Sequence, residues 1–287
     1  MIHFYKGSLM NSATIIQAGM GVGVSNWRLA NAVATAGQIG VVSGSGIDTV
    51  LIRRLQDGDK NGDVRRAMAH FPDHEFVEQV SKKYYISGGK NAQSSYATIP
   101  MLTAHLSEFS EKLVILANFV EVYLAKEGHT GRIGINFLEK IQLPVLPSIY
   151  GALLAGVDYV FMGAGIPREV PAVLDKLALN RDAEYKLSVS GAWASDNFKL
   201  TFSPTSIMNG KLPDLQRPKF FGIISSTVLA MTLVKKTSPP VDGFVIESAT
   251  AGGHNAPPRG SPSFNERGEP LYGQRDEVDL TAIADLG

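Results

Sequence analysis

Three times along this chain an apolar, β-branched stretch runs directly towards a loop of glycines. ATIIQ over 13–17 precedes glycines at 19, 21 and 23; VDYVFMG over 157–163 opens into GAGIP; GFVIE over 243–247 leads to Gly252 and Gly253. Such stretches read as strands bounded by turns, and glycine lets the backbone turn sharply or approach a flat ligand closely. Helical stretches separate the strands, so the rhythm is strand, helix, strand, the pattern of a parallel sheet. In parallel sheets ligands collect at the carboxyl ends of the strands, where all three glycine loops fall.

The opening shows the rhythm most clearly. A strand over 14–18 precedes a helix over 27–36, which Ser25 or Asn26 can cap and Gly37 can end, and a second strand follows over 39–43. The glycines at 19, 21 and 23 do not form a dinucleotide fingerprint, because Val24 stands where its last glycine is required. Further strands are expected over 133–137, 158–163, 220–226 and 243–248, with helices over 48–56, 64–70, 75–84, 110–126, 147–156, 226–236 and 279–286. Residues 44–112 and 170–219 fit the rhythm less well and read as insertions. In the second, 187–190 and 198–202 alternate like a small antiparallel pair placed after the fourth strand. At 287 residues and 44% hydrophobic, the chain suits a single α/β domain. The expectation is a TIM (β/α)8-type barrel over 1–287, truncated after about six of the eight βα units such a barrel needs.

Charge and composition narrow the function. With 27 basic and 27 acidic residues there is no electrostatic case for nucleic acid or an anionic membrane. Having no cysteine, the chain can form no disulfide framework, thiolate metal site, Fe–S cluster or cysteine nucleophile. The opening MIHFYKGSLMNS has no signal-peptide core, and no apolar run reaches membrane-spanning length, so a cytoplasmic protein is expected. His70, His74 and His105 lack metal-ligand spacing and read as surface residues, and Arg53-Arg54 and Lys82-Lys83 as solvated faces. No metal is expected. His254 differs from these: it follows a strand and a glycine pair, and its unperturbed pKa lies near neutrality.

The segment ESATAGGH over 247–254 resembles the strand-six motif of the nitronate monooxygenase (2-nitropropane dioxygenase) family, FMN-dependent TIM-barrel flavoproteins. Flavin-dependent enoyl-ACP reductases share that motif. The resemblance implies FMN as cofactor and His254 as the catalytic residue, acting as acid/base or as a cation facing an anionic nitronate. It implies that Ala18, Gly19 and Met20 lie against the flavin, where the family often has Ala-Pro-Met, and that Asn136 contacts it. Glu247 stands where many members have a flavin-contacting glutamine; Gly252 and Gly253 belong to the same flavin loop, and Thr250 replaces a common glutamate. The family's phosphate-holding glycines lie in strands seven and eight, beyond the six units read here. The implied reaction oxidises an alkyl nitronate with O2 to a carbonyl product and nitrite. Two alternatives remain open: an enoyl reductase using NAD(P)H at the same flavin and histidine, and a non-catalytic barrel fragment serving as a binding module. A small-molecule substrate is the expected partner, with oligomerisation left open.

Overall fold

The computed structural model describes residues 15–193, 195–208, 212–249, 251 and 256–286. The chain enters through α1 (Trp27–Thr35), β1 (Gly40–Ser43), α2 (Ile47–Gln56), α3 (Asp63–Met68), α4 (His74–Tyr84) and the long α5 (Glu108–Lys126). Next come β2 (Ile133–Leu138), α6 (Val145–Leu154), β3 (Tyr159–Gly163) and α7 (Val170–Ala178). An excursion follows, made of β4 (Ala183–Lys186), β5 (Lys199–Phe202) and the short α8 (Pro204–Ile207). The rhythm resumes with β6 (Lys219–Ile224), α9 (Thr227–Lys236) and β7 (Gly243–Ile246), and ends with a 3-10 turn at Gln274–Asp276 and α10 (Leu280–Ala284).

Five strands form one parallel sheet in the order β1-β2-β3-β6-β7, with helices packed along it. The expected strand over 14–18 is reduced, among the described residues, to a single parallel bridge between Ile16 and Ile39. A side chain takes over there: Gln17 Oε1 accepts the Val41 amide at 3.1 Å, replacing a backbone rung. β4 and β5 pair antiparallel, as expected of this segment, but the first of them lies at 183–186 and not at 187–190. Ala183 and Tyr185 carry the buried face of that strand, and the alternation of 187–190 continues it only through the Leu187 amide on Phe198. α7 also corrects the reading of 170–219 as an insertion outside the rhythm, because it follows β3 as a further βα unit.

The two faces of the sheet differ. Val42, Ile135, Phe137, Val160, Met162 and Phe220 point towards α5, α6 and α7 and join one large buried cluster with them. One charged group inside that layer is paired: Glu121, 1% exposed, accepts the Trp27 amide at 2.7 Å and Arg54 Nη1 at 2.5 Å, tying α1 and α2 to α5. The opposite face is filled by Val41, Tyr159, Phe161 and Phe221, a separate buried cluster. The three rings sit 5.6–6.2 Å apart. Rings and glycines alternate across neighbouring strands. A Cβ on Gly134 or Gly243 would lie 2.5 Å from the Phe161 or Phe221 ring, so these rings can lie over the neighbouring strands only because both positions lack one. Among the described residues no helix is long and apolar enough to cross a membrane.

Candidate functional site

Strand register decides which residues share the ring-bearing face. Pairing of Asn136 with Phe161, Leu138 with Gly163 and Ile223 with Val245 puts the side chains of Asn136, Leu138 and Ile223 on that face, at the carboxyl end. Above the aromatic layer these residues line a cavity of about 320 Å³, together with Met20, Lys140, Gly163–Gly165, Ser225, Leu229 and Glu247. Ala256 and Pro257 contribute from the segment after β7.

Asn136 is the most informative residue. It is 4% exposed, and its Nδ2 lies 3.3 Å from the Gly19 carbonyl oxygen and 3.4 Å from Met20 Sδ. Its Oδ1 is buried and, among the described residues, has no partner. An unmatched buried acceptor costs about 1–3 kcal/mol, so it marks a place where a donor is wanted. The loop before α1 is pinned by Ser25, whose Oγ is 2.6 Å from the Met20 carbonyl oxygen and 3.0 Å from that of Ala18. The helix cap falls to Asn26, whose side chain accepts from Arg28 and Leu29.

The structure brings Met20, Asn136 and Glu247 onto one cavity. Gly19 is buried beneath it, and the space of its missing Cβ is already taken: Val41 Cγ1 would lie at 2.6 Å and Asn136 Cβ at 2.8 Å. Gly163 likewise gives its space to Ile223, at 2.8 Å. A side chain at either position would collide with its neighbours, so both glycines serve the packing of the strand ends. Ala18 is exposed and does not line the cavity. Gly252, Gly253 and His254 lie outside the described residues, as does Thr250.

Lys140 and the apolar wall of Leu138, Ile223 and Leu229 were not singled out from sequence. The available signal was position: Leu138 and Lys140 follow directly on the strand that carries Asn136. Between them Glu139 turns away to the β4–β5 hairpin, where Tyr185 Oη donates to it at 3.4 Å. Burial pushes the Glu139 carboxyl up, against the pull of Tyr185, and the nearby Glu169 carboxylate adds to the push. Burial and those two carboxylates raise the Tyr185 phenol well above its ordinary range. Among the described residues no group of three or more His, Asp or Glu side chains could hold a metal ion. His70, His74 and His105 are all exposed. No family model matches the chain, and no curated protein matches it.

Proposed function

We propose that this chain is an FMN-dependent oxidoreductase of the nitronate monooxygenase kind, built on a (β/α) barrel of which the parallel sheet is one wall. The observation that carries this reading is the meeting of Met20, Asn136 and Glu247 at one cavity. They come from three distant parts of the chain, and the family resemblance assigns each of them to the flavin. Support for the barrel reading comes from the second face of the parallel sheet, which is filled by its own side chains, with the cavity at the carboxyl end of the strands.

The residues present fit a flavin. A volume of about 320 Å³ is at the lower end of the range for small-molecule sites, roughly 300–1,000 Å³. The orphan Asn136 Oδ1 suits a ring N–H, and apolar Leu138, Ile223 and Met20 suit ring faces. Met20, Asn136, Glu247 and, by resemblance, Gly252 and Gly253 would hold FMN, which when bound supplies electron transfer from an alkyl nitronate to O2. Asn136, fixed by its bond to the Gly19 carbonyl, can present its oxygen in only one direction and so orients what binds. The apolar wall excludes water, and Lys140 adds positive charge where an anionic nitronate would enter. His254, by resemblance, moves the proton at its imidazole or faces the nitronate as a cation.

The test pairs flavin occupancy, by visible absorbance, with nitrite release from an alkyl nitronate under air. His254→Ala should keep flavin and lose turnover by about 10²-fold or more, whereas Asn136→Ala should weaken flavin retention. A folded protein that takes up no FMN overturns the cofactor; full activity in His254→Ala removes that residue from the mechanism. NADH or NADPH consumption with an enoyl thioester, in place of nitronate turnover, would move the assignment to the reductase.

A further inference from the structure

The first turn of α2 opens onto a second pocket, of about 150 Å³, whose lining residues are not those of the cavity described above. Val22, Leu102 and Ile141 give it an apolar border, with Val22 and Ile141 partly open to solvent at 48% and 40% exposure. Four buried polar side chains also line it, the hydroxyls of Ser45 and Ser148 together with Asp48 at 6% and Asn118 at 1% exposure.

Asn118 has an unmet acceptor and Asp48 has no counter-charge among the described residues. Asn118 Nδ2 donates to the Val114 carbonyl at 3.0 Å, but among the described residues its Oδ1 has no partner. Asp48 accepts the Thr49 amide at 2.9 Å and its own amide, and among the described residues it has no ion-pair partner. It is also the one titratable side chain lining the pocket. Burial pushes its carboxyl up, against the pull of those two amides, as expected of an acid without a counter-charge. Buried charges in folded proteins are normally paired, because an unpaired one is expensive to desolvate. Both unmet groups are hydrogen-bond acceptors. Their complement is a head that only donates and carries positive charge, on a short apolar body that the border can cover.

We propose that this pocket binds a primary alkylammonium, its N–H groups engaging the Asp48 carboxylate and Asn118 Oδ1 and its chain lying against Val22, Leu102 and Ile141. An alcohol of the same shape leaves Asp48 without a counter-charge, and a carboxylate repels it. The site is independent of the flavin reading and stands or falls without it.

The experiment titrates n-butylammonium chloride into 15N-labelled protein at pH 7 and constant ionic strength, following the amides of residues 46–49, with 1-butanol as the neutral isostere. Saturable millimolar binding of n-butylammonium is expected, with 1-butanol at least tenfold weaker. Asp48→Asn should weaken n-butylammonium at least tenfold. Because that variant removes a buried unpaired charge, its Tm should equal or exceed that of the parent, so lost binding is not lost folding. Equal binding of the two probes overturns the proposal, as does unchanged affinity in Asp48→Asn. So does a crystal soaked with n-butylammonium that shows only ordered water on Asp48 and Asn118.

Discussion

Glu111 shows how a single side chain can set the pH response of the fold. It sits half-buried in the first turn of α5, beside Glu108, and burial followed by the Glu108 charge pushes its carboxyl up to about 7. In the unfolded chain it titrates near 4.5. Between those values the folded protein keeps a proton that the unfolded chain has released, so this residue makes stability fall as pH rises, and the loss levels off above about 7. Glu111→Gln should therefore stabilise the protein at pH 8 by about 1–2 kcal/mol, allowing for partial exposure, and leave it unchanged at pH 4. Urea titrations at the two pH values measure this; an equal effect at both would show that the carboxyl is not held neutral. A shift of this kind cannot be read from sequence, because it depends on neighbours supplied by packing. Asn136 was legible for the opposite reason: an amide inside an otherwise apolar strand is conspicuous. Gly19 and Gly163 were legible as glycines but not in purpose, since only the structure shows that Val41, Asn136 and Ile223 fill the space a Cβ would need.

At the scale of elements, one aspartate joins the last two strands of the sheet. Asp242 Oδ2 accepts the Phe220 amide at 2.9 Å and Arg217 Nη1 at 2.5 Å, and Lys219 Nζ lies 3.1 Å from its other oxygen. Arg217 also reaches Asp175 in α7, at 2.7 Å, so the start of β7 is tied to β6 and to the helix outside it. Burial works to raise the Asp242 carboxyl, but the Phe220 amide, Arg217 and Lys219 outweigh it and hold it below the ordinary range. Its stabilising contribution is thus complete above the unfolded value near 3.8 and is lost as pH falls through the lower folded value. Asp242→Ala should cost about 1–3 kcal/mol at pH 7, and the deficit should shrink below pH 4. A deficit unchanged at pH 3 would mean that the side chain acts through packing alone. Elements with strong periodicity or clear caps were legible: α5, α9 with its Ser226 cap, and the five sheet strands all lie within a few residues of expectation. The hairpin register was not legible, because alternation runs continuously through 183–190 and contact with the rest of the fold decides where pairing occurs. The first strand is shortened: Gln17 and Ile39 amides still bond across to Ile39 and Ile15, and beyond them the Gln17 side chain takes the Val41 amide.

For the molecule as a whole, the question is how a sheet of five strands fills its second face with its own side chains. The sequence shows parallel order through its βα alternation, but the filling of that face depends on which residues meet across strands, and that requires the register. The register sets Phe221 directly opposite Gly243 and Phe161 opposite Asn136, with the Phe161 ring reaching diagonally over Gly134, so large side chains lie over absent ones along one face. This geometry makes a quantitative prediction about coupling. Gly134→Ala alone drives a methyl into the Phe161 ring, with the nearest ring carbon at 2.5 Å, and should cost about 1–3 kcal/mol as overpacking. Phe161→Leu alone opens a void in a cluster where the ring is 4% exposed, and should cost a similar amount. Together the alanine methyl can occupy part of the space the ring gave up. The double variant should then be more stable than the sum of the singles by about 1 kcal/mol or more, as expected for residues in direct contact. Chemical denaturation of the four proteins in one cycle measures this. Additive losses would mean that the ring does not lie over the glycine, and the close packing described for this face would have to be given up.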